Sequence, residues 1–145
     1  MKVTIIEDPN IKETEISIVC EKMTNEINDI VSKISAVGLT VAGKKDEETF
    51  LIPIKEIFYF ESVDGKIFFC TENEIYEAMA KLYQIEENLK NLRFSRISKT
   101  VIANLDKMLS IRKAENSRLT ATLVNQEKLI VSRQYVSEIK KKLGV

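Results

Sequence analysis

The chain has 145 residues, 44% of them hydrophobic, and its 22 Lys/Arg balance 22 Asp/Glu, while histidine is absent. This content supports one domain with a hydrophobic core plus a short appendage, and it excludes Cys-His nucleophile pairs and metal sites that need histidine. No apolar run approaches the roughly 20 residues of a membrane span. The N-terminus also lacks the basic flank of a signal peptide, so we expect the chain in the cytoplasm.

The zero net charge conceals a segregation of charge along the chain. Residues 1–36 carry 4 Lys/Arg against 7 Asp/Glu, residues 37–92 carry 6 against 11, and residues 93–145 carry 12 against 4. The last block therefore has a net charge of +8, which is typical of a surface that binds a polyanion, because neutralised phosphates release their counterions. On charge alone, a solvated C-terminal face explains the block equally well.

Residues 1–37 are predicted to form a strand pair and a helix. The segments "KVTIIED" and "ETEISIVC" alternate apolar and polar residues, and the turn-forming "PNIK" separates them. Apolar residues then recur at the helical spacings of three and four: Ile27, Ile30, Val31 and Ile34. Thr24 is placed as the N-cap of this helix and Gly38 as its end, so an N-terminal extension is expected to meet the main domain near residue 38.

The two cysteines, Cys20 and Cys70, each end an apolar run. Neither has the CxxC spacing of a metal or redox site. In a cytoplasmic chain we expect both to be reduced and buried as small hydrophobic side chains, without a disulfide between them.

Residues 38–145 are predicted to form a strand-dominated domain. The short segments "TFLIPI", "EIFYFES" and "KIFFCT" read as strands, and Asp64-Gly65 joins the last two in a tight hairpin. Helices are expected in "AKLYQIEENL", whose polar residues are mainly acidic, and from "SRQY" to "KKKLG", where three side chains face inward: Val136, Ile139 and Leu143. Because crossover helices have little room, the predicted fold class is a β-dominated α+β domain of short, mainly antiparallel strands with flanking helices.

Catalysis has little support in the sequence. The four glycines form no GxxxxGK[ST] or GxGxxG loop that could hold phosphate. The pairs Glu47-Glu48 and Glu86-Glu87 lie in a polar turn and on an acidic helix face, where solvated surface explains them better than an acid-base dyad. We therefore predict no enzymatic activity, no cofactor, no metal site and no small-molecule substrate.

The basic block is more informative, because its cations lie beside small hydrogen-bonding residues at turns. In "RFSRISKTVIAN", apolar side chains can anchor the segment and five polar ones are candidates to project outward: Arg96, Ser98, Lys99, Thr100 and Asn104. A second corner offers Ser132, Arg133 and Gln134. Donors of these types match base edges and phosphates. The alternatives are a salt bridge from Arg96 to the acidic helix and a turn function for Asn104.

Three blocks follow one another in the main domain: "FLIPIKEIFYFESVDGKIFFCTENEIYEA", "RFSRISKTVIANLDKMLSI" and "RLTATLVNQEKLIVSRQYVSEIKKKLG". In this order they resemble the LytTR DNA-binding domain of bacterial transcription regulators. They are similar to its strand-turn-strand ending in "ES", its "R-I-S/H-K-S/T-x-I-V-N" segment and its "L-x-N-G-x-x-L-x-V-S-R-x-Y" corner. The resemblance covers roughly residues 38–144, and residues 1–37 resemble the short extension of stand-alone members rather than a receiver domain.

The resemblance implies small sheets stacked along one axis. It also implies that loops, rather than a recognition helix, enter successive major grooves on one face of bent DNA. By position, the first reading loop is the "VDGK" hairpin with Lys66. Family members often have a histidine or an aromatic residue there, so Lys66 has two possible targets, a phosphate or a base.

The other two loops carry the remaining DNA-binding candidates by resemblance. In the second loop Lys99 is the base-reading residue, and phosphate contacts flank it: Arg96, Ser98 and Thr100. In the third, Arg133 and Gln134 compete for the base-reading position, because the family varies by one residue there. The usual glycine of the preceding hairpin is Gln126 in this chain, which leaves the turn type open but not the strand pairing.

Partners are also implied by the resemblance. Members commonly read two direct repeats of double-stranded DNA about one or two helical turns apart, which places a homodimer on one face of the duplex. Stand-alone members are often encoded beside a small membrane protein that inhibits them, and the amphipathic, acidic extension is a candidate for dimerisation or for binding such a partner. A competing interpretation is a protein-interaction or adaptor module whose basic half docks an acidic partner or an anionic membrane surface.

Overall fold

The computed structural model describes residues 1–145 and contains three α-helices and ten strands. The helices are α1 (Asn25–Ser35), α2 (Leu82–Asn88) and α3 (Arg133–Leu143). The strands are β1 (Thr40–Lys45), β2 (Glu48–Pro53), β3 (Tyr59–Val63), β4 (Lys66–Cys70), β5 (Ile75–Ala78), β6 (Phe94–Arg96), β7 (Val101–Asn104), β8 (Met108–Lys113), β9 (Leu119–Leu123) and β10 (Lys128–Val131). The expected strand-rich fold with flanking helices is confirmed.

All strand pairs are antiparallel and fall into two sheets. The larger sheet has the order β2-β1-β5-β4-β3-β7-β6, and the smaller has the order β10-β9-β8. Two tight hairpins have positive φ at both central residues, Asp46 and Glu47 in the first, Asp64 and Gly65 in the second. This is the geometry of type I′ turns, whose twist suits antiparallel strands, so the hairpin predicted at Asp64-Gly65 is confirmed.

Aromatic side chains fill the core of the larger sheet. The Phe60 ring centroid lies 5.5 Å from that of Phe69 and 5.9 Å from that of Phe94. Gly43 on β1 allows this packing, because a Cβ there would lie only 2.5 Å from Phe69 Cζ and 2.6 Å from Tyr76 Cβ. The absence of a side chain at residue 43 therefore lets β1 pass directly over the aromatic cluster.

The smaller sheet and α3 share a second core. Ile139 of α3 is fully buried against the cluster that contains Ile97 and Val131, and Val136 and Leu143 pack against it while partly buried. The three positions predicted to face inward therefore do so. At the β9 to β10 turn, Gln126 has a φ of 73°, so the pairing of these strands forms without the family's usual glycine.

The strand pair expected in residues 1–23 is not formed. All of these residues are exposed and none belongs to a helix or strand. The prediction was wrong because alternation indicates a strand only where a sheet or core covers one face, and an isolated two-stranded hairpin is marginal in water. Only the turn is present, where the Asn10 amide donates to Asp8 Oδ1 at 2.9 Å. Cys20 is likewise exposed rather than buried, whereas Cys70 is buried as expected, and both are free thiols.

The predicted amphipathic helix is present as α1. Thr24 caps it, since its Oγ1 accepts the Ile27 amide at 3.3 Å, and Gly38 has a φ of 70° just beyond its end. The helix lies against the main domain, where Ser32 is buried and Asp29 pairs with Arg93 at 3.4 Å.

None of the three helices combines the length and the apolar content needed to cross a membrane.

Candidate nucleic-acid interface

The β3 to β4 hairpin presents the first candidate residue. Lys66 follows the turn directly, pairs with Val63 across the hairpin and is exposed. No hydrogen bond within the chain holds its side chain, so the ammonium group can reach a ligand.

The second candidate segment is the turn between β6 and β7. Ser98 Oγ accepts the Thr100 amide at 3.2 Å and lies 3.4 Å from Thr100 Oγ1. This local bond folds the chain back on itself, and Lys99 is exposed between the two hydroxyl residues. Short hydroxyl side chains on either side of a lysine provide several donors for phosphate or base oxygens.

The third segment is the corner where β10 leads into α3. Ser132 is the N-cap residue, although its side chain makes no capping bond, and Arg133 and Gln134 are exposed in the first turn of the helix. Both longer side chains can therefore project away from the second core. The structure leaves both of them as base-reading candidates.

Main-chain hydrogen bonds join the three segments. The Ser62 amide donates to the Thr100 carbonyl at 2.8 Å, and the Ser132 amide donates to the Ile97 carbonyl at 2.8 Å. The turn between β6 and β7 is thus tied on one side to the hairpin and on the other to the α3 corner. Segments that are far apart in the sequence form one continuous surface.

Two open depressions lie along this surface. One, of about 360 Å³, is lined only by polar residues of the second and third segments: Ser98, Lys99, Thr100, Ser132, Arg133 and Gln134. The other, of about 560 Å³, contains Lys66, Arg96 and Lys99. Lys99 borders both. We call this set the loop surface, and it consists of the exposed residues Lys66, Lys99, Thr100, Arg133 and Gln134 together with the half-buried Ser98.

Arg96 lies beneath the loop surface rather than on it. Its side chain is 17% exposed, and its Nε and Nη2 atoms lie 2.7 Å and 2.6 Å from Glu86 Oε2 on α2. Its Nη1 donates to the Lys99 carbonyl at 2.8 Å. The structure therefore favours the salt bridge to the acidic helix over a direct phosphate contact.

Asn104 does not belong to this surface. It is 4% exposed, its Nδ2 donates to the Ile57 carbonyl at 2.8 Å, and its Oδ1 accepts the Asp106 amide at 3.0 Å. The expectation that Asn104 contacts DNA is corrected, because neither amide atom is available to a ligand. The alternative function in a turn fits the observed bonds.

Lys81 is a further candidate that the sequence reasoning missed. It is exposed and lines the same depression as Lys66 and Lys99, where Glu77 is the single carboxylate. No motif marks it, but the strand pairing would: β5 pairs beside β4 with Ala78 opposite Ile67, and Lys81 follows three residues later. A correct sheet order was therefore needed to find it.

Two side chains with shifted pKa values lie in a third hydrophobic cluster: the buried Cys70 and the partly buried Tyr59 that packs against it. Desolvation by burial raises the pKa of the Cys70 thiol to about 11. Desolvation also raises the pKa of Tyr59 above its usual range, assisted by the 2.8 Å hydrogen bond from its hydroxyl to Glu127. Both groups are held in their neutral forms, so they support the fold rather than the charge of the loop surface. No group of three or more His, Cys, Asp or Glu could hold a metal ion.

Comparison with known families gives a match over the region that forms this surface. The family model of the LytTr DNA-binding domain matches residues 47–144. These residues include every member of the loop surface, while β1 precedes the matched region and still pairs with β2 and β5.

Two similar proteins differ in how much of their own length this chain covers. Sensory transduction protein LytT of Bacillus anthracis is 29% identical over 126 residues, which cover 86% of this chain and 50% of that protein. This chain thus spans half the length of that relative. An uncharacterized HTH-type transcriptional regulator of Staphylococcus aureus is 25% identical over 147 residues, which cover 100% of this chain and 99% of that protein.

A solved structure has the same fold. It is the LytTr DNA-binding domain of a protein described as a methyl-accepting/DNA response regulator from Bacillus cereus. The TM-score is 0.69 with 24% sequence identity, over 73% of this chain and 97% of that one. At this identity the likeness concerns the fold alone.

Proposed function

Because the chain belongs to the LytTR DNA-binding domain family, we propose that it is a transcription regulator that reads double-stranded DNA through the loop surface. In this proposal Lys99 and one of Arg133 and Gln134 contact base edges in the major groove. Ser98 and Thr100 contact phosphates, and Lys66 adds a contact at the hairpin. The protein acts without catalysis, cofactor or small-molecule substrate, and it works in the cytoplasm.

One observation carries the proposal: three polar segments converge on a continuous, cationic surface that has no other evident use. The depression beside the α3 corner is lined by six residues, none of them apolar, and two of them are cations. A docking site for an apolar ligand would need hydrophobic walls. Exposed Arg, Lys and Gln beside Ser and Thr hydroxyls instead match the chemistry of a nucleic-acid groove.

Selection from a random pool of duplexes tests the proposal directly. We expect the purified protein to enrich a direct repeat whose halves lie about one or two helical turns apart, with two protomers on one face. Binding to the enriched duplex should exceed binding to a scrambled duplex at the same salt concentration. A pool that stays random, with affinity set only by salt, would instead support an electrostatic docking module and overturn the proposal.

We also propose that the N-terminal extension, residues 1–37, is used for protein contacts through its exposed segment, residues 1–23. The observation behind this is the exposure of strand-like apolar residues in residues 1–23, such as Ile5 at 85% and Val19 at 97%. Large exposed apolar side chains mark interaction surfaces. The partner is a second protomer or a small inhibitory membrane protein.

Polar substitutions in the full chain test the extension. We expect Ile5→Ser with Val19→Ser to weaken self-association, measured by sedimentation. Where a small membrane protein is encoded beside the regulator, the same variant should release inhibition when the two are co-expressed. Preference for a single half of the direct repeat over a scrambled sequence should stay unchanged, since these residues lie outside the loop surface. If self-association and inhibition both persist, the extension has no such function.

A further inference from the structure

We propose that Glu86 of α2 is a positioning residue for DNA reading, acting through Arg96 on the Lys99 turn. The inference rests on the proposed function of the loop surface. It assigns a purpose to an acidic side chain that would repel DNA, and it explains why Arg96 is directed away from the exposed surface. We call this arrangement the brace, and it consists of the Glu86 carboxylate, the Arg96 guanidinium and the Lys99 carbonyl.

The brace uses three donors of a single guanidinium. Two contact one carboxylate oxygen of Glu86, at 2.6 Å and 2.7 Å, and the third reaches the Lys99 carbonyl at 2.8 Å. The planar guanidinium fixes the angle between these donors, so the position of the carboxylate determines where the carbonyl is held. A lysine at residue 96 would keep the charge but could not reproduce this geometry.

The two ends of the brace differ in rigidity. On the Glu86 side, α2 is anchored in the core by its buried residues Leu82 and Ile85 and by Leu89, the C-cap residue that follows it. On the other side, the Lys99 main chain takes part in no other hydrogen bond, since the bonds that anchor the turn involve its neighbours Ile97 and Thr100. Arg96 therefore transfers the rigidity of α2 to the part of the turn that carries the reading side chain.

Charge neutralisation is the second consequence of the pairing. Arg96 is mostly buried and its charge is balanced by Glu86, so it adds little to the attraction between the chain and phosphates. Its contribution to binding is to order the Lys99 turn before DNA arrives. A turn that is ordered in advance loses less conformational entropy on binding. Ordering the backbone of one residue before binding raises the affinity about tenfold.

The variant Glu86→Gln tests the brace, because electrostatics alone and the brace predict opposite changes in affinity for the selected duplex. It removes a negative charge near the DNA, so electrostatics alone predicts tighter binding to every duplex. The brace predicts about tenfold weaker binding to the selected duplex, with binding to a scrambled duplex unchanged or slightly tighter. Arg96→Lys, which retains the charge, should lose the same preference.

Glu87→Gln is the matched control. Glu87 is the next residue of α2, carries the same charge and pairs with Lys90 at 2.7 Å instead of Arg96. This variant should keep the wild-type preference for the selected duplex. If Glu86→Gln binds the selected duplex as tightly as the wild type or more tightly, or if Glu87→Gln loses as much preference, the brace is overturned.

Hydrogen exchange in the DNA-free protein separates failure of the brace from failure of the proposed function. The Thr100 amide, bonded to Ser98 Oγ, should exchange faster in Glu86→Gln than in the wild type or in Glu87→Gln. Equal exchange in all three would overturn the brace while leaving DNA reading intact. A wild-type protein that shows no preference among duplexes would overturn the proposed function, and the reading part of the brace with it.

Discussion

The two ends of β7 carry similar polar residues but serve opposite purposes. Just before the N-terminal end, Lys99 and Thr100 are exposed; Lys99 borders both depressions of the loop surface and Thr100 borders one of them. At the C-terminal end, Asn104 is buried, and both of its amide atoms bond to the main chain. Only three residues, Val101 to Ala103, separate a surface that is free to bind from a side chain that stabilises the fold.

The contrast shows that residue type does not decide function within this basic segment. Strand pairing decides it: β7 pairs with β3 on one side and β6 on the other, so its C-terminal end lies against the chain near Ile57. Its N-terminal end meets the hairpin tip through the bond between Ser62 and Thr100, where the surface is open. Removing polar groups at the two ends should therefore affect different measurements.

The largest effect is expected at the buried end. Asn104→Ala should lower the free energy of unfolding by about 2 to 3 kcal/mol, because the Ile57 carbonyl and the Asp106 amide lose their partner. Urea denaturation measures this loss, and the exposed Asn91→Ala is the control that should leave stability within about 0.5 kcal/mol. A stable Asn104→Ala variant that has lost its preference among duplexes would reverse the assignment of this end.

Substitutions at the exposed end should change DNA binding rather than stability. Lys99→Ala and Gln134→Ala should each weaken binding to the selected duplex by about 1 to 3 kcal/mol if these side chains read bases. Arg133→Ala, measured in parallel, shows which of the two corner residues is the reader. Lys12→Ala removes the same charge from the extension and should leave the preference unchanged. Equal losses for selected and scrambled duplexes would reassign Lys99 to phosphate contact.

Alkaline pH should lower the free energy of unfolding through Cys70 and Tyr59, which lie outside the loop surface. The pKa of Cys70 is raised from 9.0 to about 11 by desolvation, so the unfolded chain loses this proton first and stability falls as pH rises from about 9 to about 11. The raised pKa of Tyr59 acts in the same direction at higher pH. Unfolding curves at several pH values measure this effect. Cys70→Ala should lessen the dependence, and an unchanged slope would contradict this source.

The smallest effects are expected beside the Lys99 turn. Lys66→Ala and Lys81→Ala should each weaken binding by less than about 1 kcal/mol, equally for selected and scrambled duplexes. If each cation neutralises one phosphate, the slope of log K against log salt should fall by about 0.9 per substitution. Titrations at several salt concentrations measure it. A loss restricted to the selected duplex would show that Lys66 reads a base.

Much of the fold could be predicted from local patterns. Short apolar segments bounded by turns indicated strands of the larger sheet, namely β2, β3 and β4, and the Asp64-Gly65 pair fixed the hairpin between the last two. Thr24 and Gly38 marked α1 because capping and left-handed backbone depend on residues close in sequence. The strand pair in residues 1–23 could not be judged in the same way, since its stability depends on a covering surface that the sequence does not reveal.

The candidate surface was harder to predict, because its members are selected by contacts between distant segments. Lys99 and Gln134 were named from motif positions, and the structure brings their segments together. The burial of Asn104 and the pairing of Arg96 with Glu86 depend on strand order and on the placement of α2. Lys81 had no local signal at all. The sequence pattern thus predicted the loops, whereas strand pairing determines which of their side chains are exposed.

The bonds that join the three segments involve main-chain atoms only, from the Ser62 amide to the Thr100 carbonyl and from the Ser132 amide to the Ile97 carbonyl. Any residue except proline can supply these amides. The two bonds that hold the segments together therefore do not depend on which side chains the loops carry. Mutation can therefore alter Lys66, Lys99 or Gln134 while the three segments keep their relative positions. Under the proposed function, a lineage of such proteins can change its target sequence while keeping the fold, and the same property makes these positions suitable for a combinatorial library.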